Sequence, residues 1–231
     1  MRDEAKREPE FLLARFEKRV LPWLATRLPA WVRPDHLTLL GIFAAVGIGA
    51  AYLLSNNDPA WLWAANALLV VHWFGDSLDG TLARVRRIER PRYGYYLDHL
   101  TDALATILIG VGLGLSPYML LATGLAIVIA YLVLSINVYL EAYAFKVFRL
   151  GHAYLGPTEA RAGLFVLNAL LAAGVGLQFR LNDVGLTVFD VIGIGIAGAM
   201  AAALAVRAVH NLRLLAIEEP SARAAIRSAS R

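Results

Sequence analysis

The sequence predicts an all-α integral membrane protein with six transmembrane helices and an interfacial amphipathic helix at its N-terminus. Hydrophobic residues make up 58% of the 231 residues and charged residues only 17%, below the roughly one quarter typical of soluble domains. No Lys or Arg occurs from Leu37 to Ala83, and no charged residue occurs from Ala103 to Leu140. Each stretch has room for two helices of about 20 residues, the length that crosses a bilayer core.

Residues 1–36 form the predicted interfacial segment. Apolar side chains such as Phe16 and Trp23 alternate with charged ones such as Glu17 and Lys18, a mixture typical of a helix in the headgroup layer. A solvated helix that packs on the rest of the protein fits the same pattern. The segment lacks the uninterrupted apolar core and small-residue cleavage site of a signal peptide.

Residues 37–215 form the predicted transmembrane domain, in which turn-forming residues such as Asn56, Pro59 and Pro117 separate apolar stretches. The spans are expected near residues 37–54, 60–79, 96–115, 118–144, 163–179 and 186–206. Ala, Ser and Arg dominate the last residues, so a flexible tail is expected over residues 216–231.

The basic residues support the count of six spans. Eight of the 22 lie before the first span, five between Arg84 and Arg92, three between Lys146 and Arg161, and five from Arg207 onward. Six spans place all of these on one side and leave only Arg180 on the other. Because basic residues concentrate in cytoplasmic loops, both termini are expected in the cytoplasm. The net charge of +4 then reflects membrane orientation, and no nucleic-acid partner is expected.

Four aspartates lie where the second span ends and the third begins. One helical face, at positions i, i+3, i+4 and i+7, contains Asp76, Asp79, Gly80 and Ala83, and another, at i, i+4 and i+8, contains Gly94, Asp98 and Asp102. The nine residues 85–93 between the two helices can turn these faces toward each other. Four carboxylates are therefore expected at one membrane interface.

Such a cluster requires positive charge, because neighbouring carboxylates resist ionisation and charges within a span are costly. Neither span contains a Lys or Arg to pair with the aspartates. A divalent cation fits best, and all-oxygen ligands favour Mg²⁺, Mn²⁺ or Ca²⁺ over zinc or copper. The absence of cysteine excludes thiolate metal sites and cysteine nucleophiles. Two ions would balance four carboxylates and could clamp phosphate oxygens.

Small and basic residues beside the aspartates suggest a phosphate-containing ligand. Gly80 and Ala83 leave the aspartate face open to the close approach of a large, flat ligand. Arg84, at the mouth, can bind a phosphate bidentately. Both features have simpler explanations, since small residues also serve helix packing in membranes and Arg84 also obeys the positive-inside rule.

The pattern Asp-x2-Asp-Gly-x2-Ala-Arg-x9-Gly-x3-Asp-x3-Asp, from Asp76 to Asp102, resembles the CDP-alcohol phosphotransferase signature at every fixed position. The segment Arg33 to Thr38 is similar to the family's Pro-Asn-x-Leu-Thr entry, with Asp35 where Asn is commoner. The resemblance implies six transmembrane helices, a homodimer, and two metal ions, Mg²⁺ or Mn²⁺, that bind the CDP pyrophosphate. The implied reaction transfers a phosphoalcohol group from a CDP-alcohol donor to an acceptor alcohol and releases CMP, in phospholipid biosynthesis.

The same resemblance assigns roles to individual residues. The implied metal ligands are Asp76, Asp79, Asp98 and Asp102. The implied nucleotide side of the site comprises Asp79, Gly80, Ala83, Arg84 and Gly94. Asp102 is the implied general base that deprotonates the acceptor hydroxyl. The expected location is a bacterial inner or plasma membrane, with the active site facing the cytoplasm.

The identity of the substrates stays open in the sequence. His99, next to Asp98, resembles the Asp-His of choline and ethanolamine phosphotransferases, and Glu159 ends a Gly-Pro-x-Glu segment similar to that branch. CDP-diacylglycerol with a small polar acceptor is the alternative, and Arg149 and Arg161 could then bind an acceptor phosphate, although the positive-inside rule explains both equally well. The lipid is thus either donor or acceptor.

Two other features bear on function. Asn137 and Glu141 are polar groups at membrane depth on the fourth span, and such groups suggest a site. A cation or proton transporter is the main alternative to an enzyme, because intramembrane carboxylates mark ion pathways. It fits less well, since the carboxylates cluster at one edge and no paired interrupted spans suggest inverted repeats. A scaffold without turnover is a weaker alternative.

Overall fold

The computed structural model describes residues 13–145, 157–175, 178–181 and 184–219, and these form seven helices and one two-stranded hairpin. In chain order the elements are α1 (Ala14–Arg27), α2 (Pro34–Leu54), α3 (Trp61–Arg86), α4 (Pro91–Gly114), α5 (Leu121–Phe145), α6 (Pro157–Ala172), β1 (Gln178–Leu181), β2 (Val184–Thr187) and α7 (Val188–Glu218). The predicted tail begins inside α7, and its remainder lies outside the described residues.

Proline and a capping box set where several helices begin. Pro34, Pro91 and Pro157 occupy the first positions of α2, α4 and α6, where a missing N–H costs nothing and the fixed φ suits a helix. At the start of α7 the Thr187 hydroxyl accepts from the Asp190 amide at 3.3 Å, and the Asp190 carboxylate accepts from the Thr187 amide at 2.9 Å. These local signals fix the helix starts independently of tertiary packing.

The all-α membrane class is confirmed. Within the described ranges, α2, α4, α5 and α7 are long and apolar enough to cross a membrane. Large apolar side chains such as Phe43 and Ile129 point outward, with exposed fractions of 71% and 60%, as expected of a surface in contact with lipid. α3 contains the polar residues Asn66 and His72, and α6 has only 16 residues. The count of six spans therefore stays a prediction.

The predicted fifth span, residues 163–179, extends too far at its C-terminal end. Gly174 adopts φ 80° and ends α6, because its amide and that of Val175 bond to the carbonyls of Leu171 and Leu170, both at 3.0 Å. This pair of bonds is a Schellman motif, which favours glycine at the left-handed position. The chain then forms the antiparallel β1–β2 hairpin, which the all-helical prediction did not contain.

The connection between α3 and α4 is shorter than the nine residues predicted. α3 continues to Arg86 and α4 begins at Pro91, so only residues 87–90 join them. Arg87 takes a left-handed conformation with φ 57°, and the next amide, of Ile88, bonds to the Ala83 carbonyl at 3.0 Å. This compact turn keeps the end of α3 near the start of α4.

α2 is the element on which α3 and α4 both pack. α2 and α3 approach closely at Gly41 and Gly75, where a Cβ added to Gly75 would lie 2.6 Å from the Leu37 carbonyl oxygen. Leu21 and Ala25 of α1 extend this region, because they share an apolar cluster with Leu37 of α2 and with Leu78 and Leu82 of α3. The tight contact fixes the part of α3 that carries the first two aspartates.

Candidate active site

A cavity of about 320 Å³ is bounded by α2, the end of α3, the 87–90 connection and the start of α4. The five residues predicted for the nucleotide side all line it: Asp79, Gly80, Ala83, Arg84 and Gly94. A Cβ added to Gly80 would meet only the Arg84 Nη1 atom, at 3.5 Å, and one added to Gly94 would meet nothing within 4 Å. The cavity wall is therefore open at both glycines.

Two of the four aspartates, Asp79 and Asp98, line this cavity, and Asp76 and Asp102 are not among its lining residues. Asp79 interacts electrostatically with Asp76 and Asp98, and Asp102 interacts with the same two carboxylates. The two helical faces deduced from the spacing thus lie close enough for their carboxylates to interact, and these four carboxylates are called the acidic group below.

Two residues from other helices hold these carboxylates. The Thr38 hydroxyl of α2 donates to Asp79 Oδ2 at 2.6 Å. The Arg161 Nη2 atom of α6 donates to Asp76 Oδ2, also at 2.6 Å, in an ion pair whose side chains are 13% and 20% exposed. The two predicted spans that carry the aspartates contain no Lys or Arg, and the basic partner of Asp76 comes instead from another helix. It is Arg161, the fifth residue of α6, which the sequence suggested only as a ligand of an acceptor phosphate.

The residues fit a hard divalent cation in donor chemistry, because they offer carboxylate oxygens alone and the single charge of Arg161 cannot balance four carboxylates. Across the described ranges, however, no group of three or more His, Asp and Glu side chains converges as a ready-formed metal site. The Arg161 guanidinium occupies one oxygen of Asp76. Asp76, Asp79, Asp98 and Asp102 thus remain predicted ligands.

The mouth of the cavity contains an ion pair that sequence reasoning missed. The Arg90 Nη2 atom donates to both carboxylate oxygens of Asp35, at 2.6 and 2.8 Å, and both residues line the cavity. The hydrogen bond to Asp35 raises the pKa of the Arg90 guanidinium. The sequence indicated a role for this region only through the segment Arg33 to Thr38, because that segment supplies both Asp35 and the Thr38 hydroxyl that holds Asp79.

His99 lines the cavity next to Asp98. Its ring centroid lies 4.1 Å from that of Tyr95 and 5.1 Å from that of Tyr139 on α5. The imidazole Nδ1 atom is 3.4 Å from Asp98 Oδ2. The histidine therefore joins an aromatic cluster to the acidic group.

The remaining candidates lie away from the cavity. Glu141 accepts hydrogen bonds from Asn137 of its own helix at 2.6 Å and from Arg207 and Asn211 of α7. This network joins α5 to α7, so polarity at membrane depth here has a structural explanation. Glu159 accepts from the Leu13 amide at 2.7 Å. Arg149 lies outside the described residues.

The fold and the site define a helical membrane protein with a cavity lined by Asp79 and Asp98, close to Asp76 and Asp102. The model of the CDP-alcohol phosphatidyltransferase family matches residues 31–206, a range that includes α2 to α6 and most of α7. The chain belongs to this family.

Curated relatives point to phosphate-group transferases. The chain is 33% identical over 171 residues to CDP-diacylglycerol–serine O-phosphatidyltransferase of Encephalitozoon cuniculi, a match that covers 69% of this chain and 38% of that protein. It is 24% identical over 187 residues to cholinephosphotransferase 1 of Gallus gallus, with 74% and 54% covered. The human cholinephosphotransferase 1 is 32% identical over 98 residues, with 39% and 23% covered.

The chain thus spans about half or less of the length of these relatives. All three are eukaryotic proteins, so they give no support to the predicted bacterial membrane.

Proposed function

We propose that this protein is a metal-dependent CDP-alcohol phosphotransferase, which transfers a phosphoalcohol group from a CDP-alcohol to an acceptor alcohol in phospholipid synthesis and releases CMP. The observation that supports this most is the cavity between α3 and α4. The cavity is lined by Gly80, Ala83, Arg84 and Gly94, and also by Asp79 and Asp98. The family match gives the same reaction class.

In this proposal the nucleotide and its pyrophosphate bind in the cavity. Gly80 and Gly94 leave room for the ligand, and Arg84 at the end of α3 offers a guanidinium to a phosphate. The Thr38 hydroxyl fixes the orientation of the Asp79 carboxylate. Bound Mg²⁺ or Mn²⁺, held by Asp76, Asp79, Asp98 and Asp102, would polarise the phosphorus and stabilise the leaving oxygen.

Asp102 is proposed as the general base. It lies one turn beyond Asp98 on α4, further from the cavity mouth, where an acceptor from the membrane would present its hydroxyl. A carboxylate within hydrogen-bonding range of that hydroxyl can accept its proton as the new phosphorus–oxygen bond forms. Charge and atoms balance, because the acceptor loses its proton to Asp102 and CMP departs with the electrons of the broken bond.

The names of the relatives allow two substrate pairs. The name of the Encephalitozoon cuniculi relative gives CDP-diacylglycerol as donor and serine as acceptor. The name of the Gallus gallus relative gives choline phosphate as the transferred group. A lipid donor and a lipid acceptor both fit a site at a membrane edge. We further propose that the site and both termini face the cytoplasm, on the basis of the basic residues, and that the protein is a homodimer, as the resemblance implies.

CMP release by purified protein in detergent tests the proposal. The assay supplies either CDP-diacylglycerol with serine or CDP-choline with diacylglycerol, in the presence of Mg²⁺, Mn²⁺ or EDTA. CMP should appear with one pair only and should stop on chelation, with recovery when metal is restored. CMP release unchanged by EDTA would exclude the metal requirement. A cation transporter would release no CMP with any pair, and that result would exclude the reaction.

A further inference from the structure

Glu17 of α1 connects three helices through one carboxylate oxygen. Its Oε1 atom accepts from the indole Nε1 of Trp73 on α3 at 2.9 Å and from the Thr158 hydroxyl on α6 at 2.6 Å. A second bond runs alongside, from the Leu13 amide to Glu159 at 2.7 Å. The start of α1 therefore holds the start of α6.

α1 is itself fixed to α3, so it can serve as a rigid support. Arg86 near the end of α3 donates to the carbonyls of Leu28 and Pro29, both at 2.9 Å, and to that of Val32. Phe16 of α1 stacks against the Trp73 ring at 6.4 Å. Both ends of α1 thus make contacts with the helix that carries Asp76 and Asp79.

Arg161, the fifth residue of α6, reaches the acidic group. Thr158 and Arg161 are three residues apart, so they lie on neighbouring parts of one helix face. Asn168, further along α6, is fully buried and bonds to Tyr52 and to Asn66 at 3.0 Å each. Asn66 also donates to the Phe165 carbonyl at 3.1 Å, so α6 is held at Phe165, at Asn168 and at its start.

Arg161 lies four residues from Phe165, or about 6 Å along the helix axis. A tilt of roughly 20° about Phe165 would displace Arg161 by about 2 Å, enough to break a hydrogen bond of 2.6 Å. Such a tilt at the start of α6 would separate Arg161 from Asp76.

We propose that Glu17 is a positioning residue of the carboxylate site. Through Thr158 it holds the start of α6 where the Arg161 guanidinium pairs with Asp76, and α1 thereby sets the positive charge that faces the four aspartates. The proposal rests on the function proposed above only in taking this acidic group as the working site.

Matched threonine substitutions test the link. Thr158→Val removes the hydroxyl with little change of shape, Thr158→Ser retains it, and Thr26→Val makes the same change at the other end of α1, where the hydroxyl bonds only locally to the Trp23 carbonyl at 2.8 Å. A nitroxide on Ala160→Cys, introduced into a chain without native cysteine, reports the motion of α6. Thr158→Val should raise its mobility, whereas Thr158→Ser and Thr26→Val should not. Equal mobility in all three variants would overturn the proposal.

Manganese binding then tests the connection to Arg161. Arg161→Gln removes a positive charge beside Asp76 and should tighten Mn²⁺ binding, followed by the EPR signal of free Mn²⁺, on the order of tenfold. Thr158→Val should tighten it less in the parent protein and not at all when Arg161→Gln is already present. The same effect of Thr158→Val in both backgrounds would show that α1 does not act through Arg161.

A second pair of variants protects the test against misfolding. Glu17→Gln keeps an oxygen that can accept both hydrogen bonds, whereas Glu17→Ala removes it. Only Glu17→Ala should therefore reproduce the effect of Thr158→Val. Identical behaviour of the two Glu17 variants would contradict the role of Glu17. If the parent protein binds no Mn²⁺, the metal-dependent function fails, and the nitroxide result still decides whether α1 holds α6.

Discussion

Replacing Gly75 with alanine should separate α3 from α2 and disturb the carboxylate site from a distance. The added Cβ would lie 2.6 Å from the Leu37 carbonyl oxygen and 2.7 Å from the Gly41 amide nitrogen, whereas relaxed contacts are about 3.5–4.0 Å. The helices must therefore separate by about 1 Å. Overpacking of this kind costs about 1–3 kcal/mol, and the higher helix propensity of alanine returns up to about 1 kcal/mol. We expect a loss of about 1–2 kcal/mol in the free energy of unfolding.

The separation of α2 and α3 in this variant should also lower the enzymatic activity. The Thr38–Asp79 hydrogen bond, now 2.6 Å, would lengthen to about 3.6 Å and be lost. Unfolding in detergent, followed by tryptophan fluorescence, gives the stability, and CMP release gives the activity; both should fall.

Gly80→Ala is the matched control for Gly75→Ala. It makes the same change five residues later on the same helix, where the new Cβ meets only Arg84 Nη1 at an ordinary 3.5 Å. Its free energy of unfolding should stay level or rise by up to about 1 kcal/mol. The larger Gly80→Val should fold but lose CDP-alcohol binding, because the side chain fills the cavity. Equal destabilisation by the two alanine variants would refute the argument that close packing at Gly75 positions the site.

Four further substitutions test other parts of the molecule. Asp102→Asn should lower turnover by a factor on the order of 10² to 10⁴ and keep most nucleotide binding, whereas Asp79→Asn should weaken metal and nucleotide binding; equal loss of binding would make Asp102 chiefly a metal ligand. Ala83→Leu should abolish CDP-alcohol binding in a titration while the melting temperature stays unchanged. Glu141→Gln should cost about 1–3 kcal/mol in unfolding experiments, because Arg207, 22% exposed, loses its charged partner; no change would show that the pair contributes nothing.

The grouping of the aspartates was predictable because helical periodicity alone assigns them to helical faces, whereas their roles stay predictions. Spacings of three and four place Asp76 with Asp79 and Asp98 with Asp102 on any regular helix. A short connection then suffices to bring both faces to one cavity. The predicted connection was too long. α3 continues to Arg86 and ends where Arg87 adopts the left-handed conformation. Glycine, the residue that usually marks this conformation at a helix end, is absent there.

Other parts depend on tertiary contacts that periodicity does not contain. Arg161 is far from Asp76 in sequence, and only the packing of α6 on α3 brings the two together. Thr38 lies one turn into an apolar helix, and its hydroxyl also bonds to the Pro34 carbonyl of that helix at 3.3 Å. Such local bonding is common for threonine in helices, so the additional bond to Asp79 could not be predicted from the sequence. Gly174 was a visible sign that α6 ends early, but the apolar residues around it fit a longer span equally well.

The Arg161–Asp76 pair bears on how a carboxylate site can bind an anionic ligand. A pyrophosphate cannot approach four carboxylates unless positive charge lies between them, and Arg161, which pairs directly with Asp76, supplies a single positive charge. Arg84 and Arg90 line the outer wall of the cavity, so they can attract the ligand without neutralising the acidic group behind it. In the proposed function, the cations that complete the site would bind with the substrate or before it. Because Arg161 already occupies one oxygen of Asp76, the position of α6 would set how readily those cations bind.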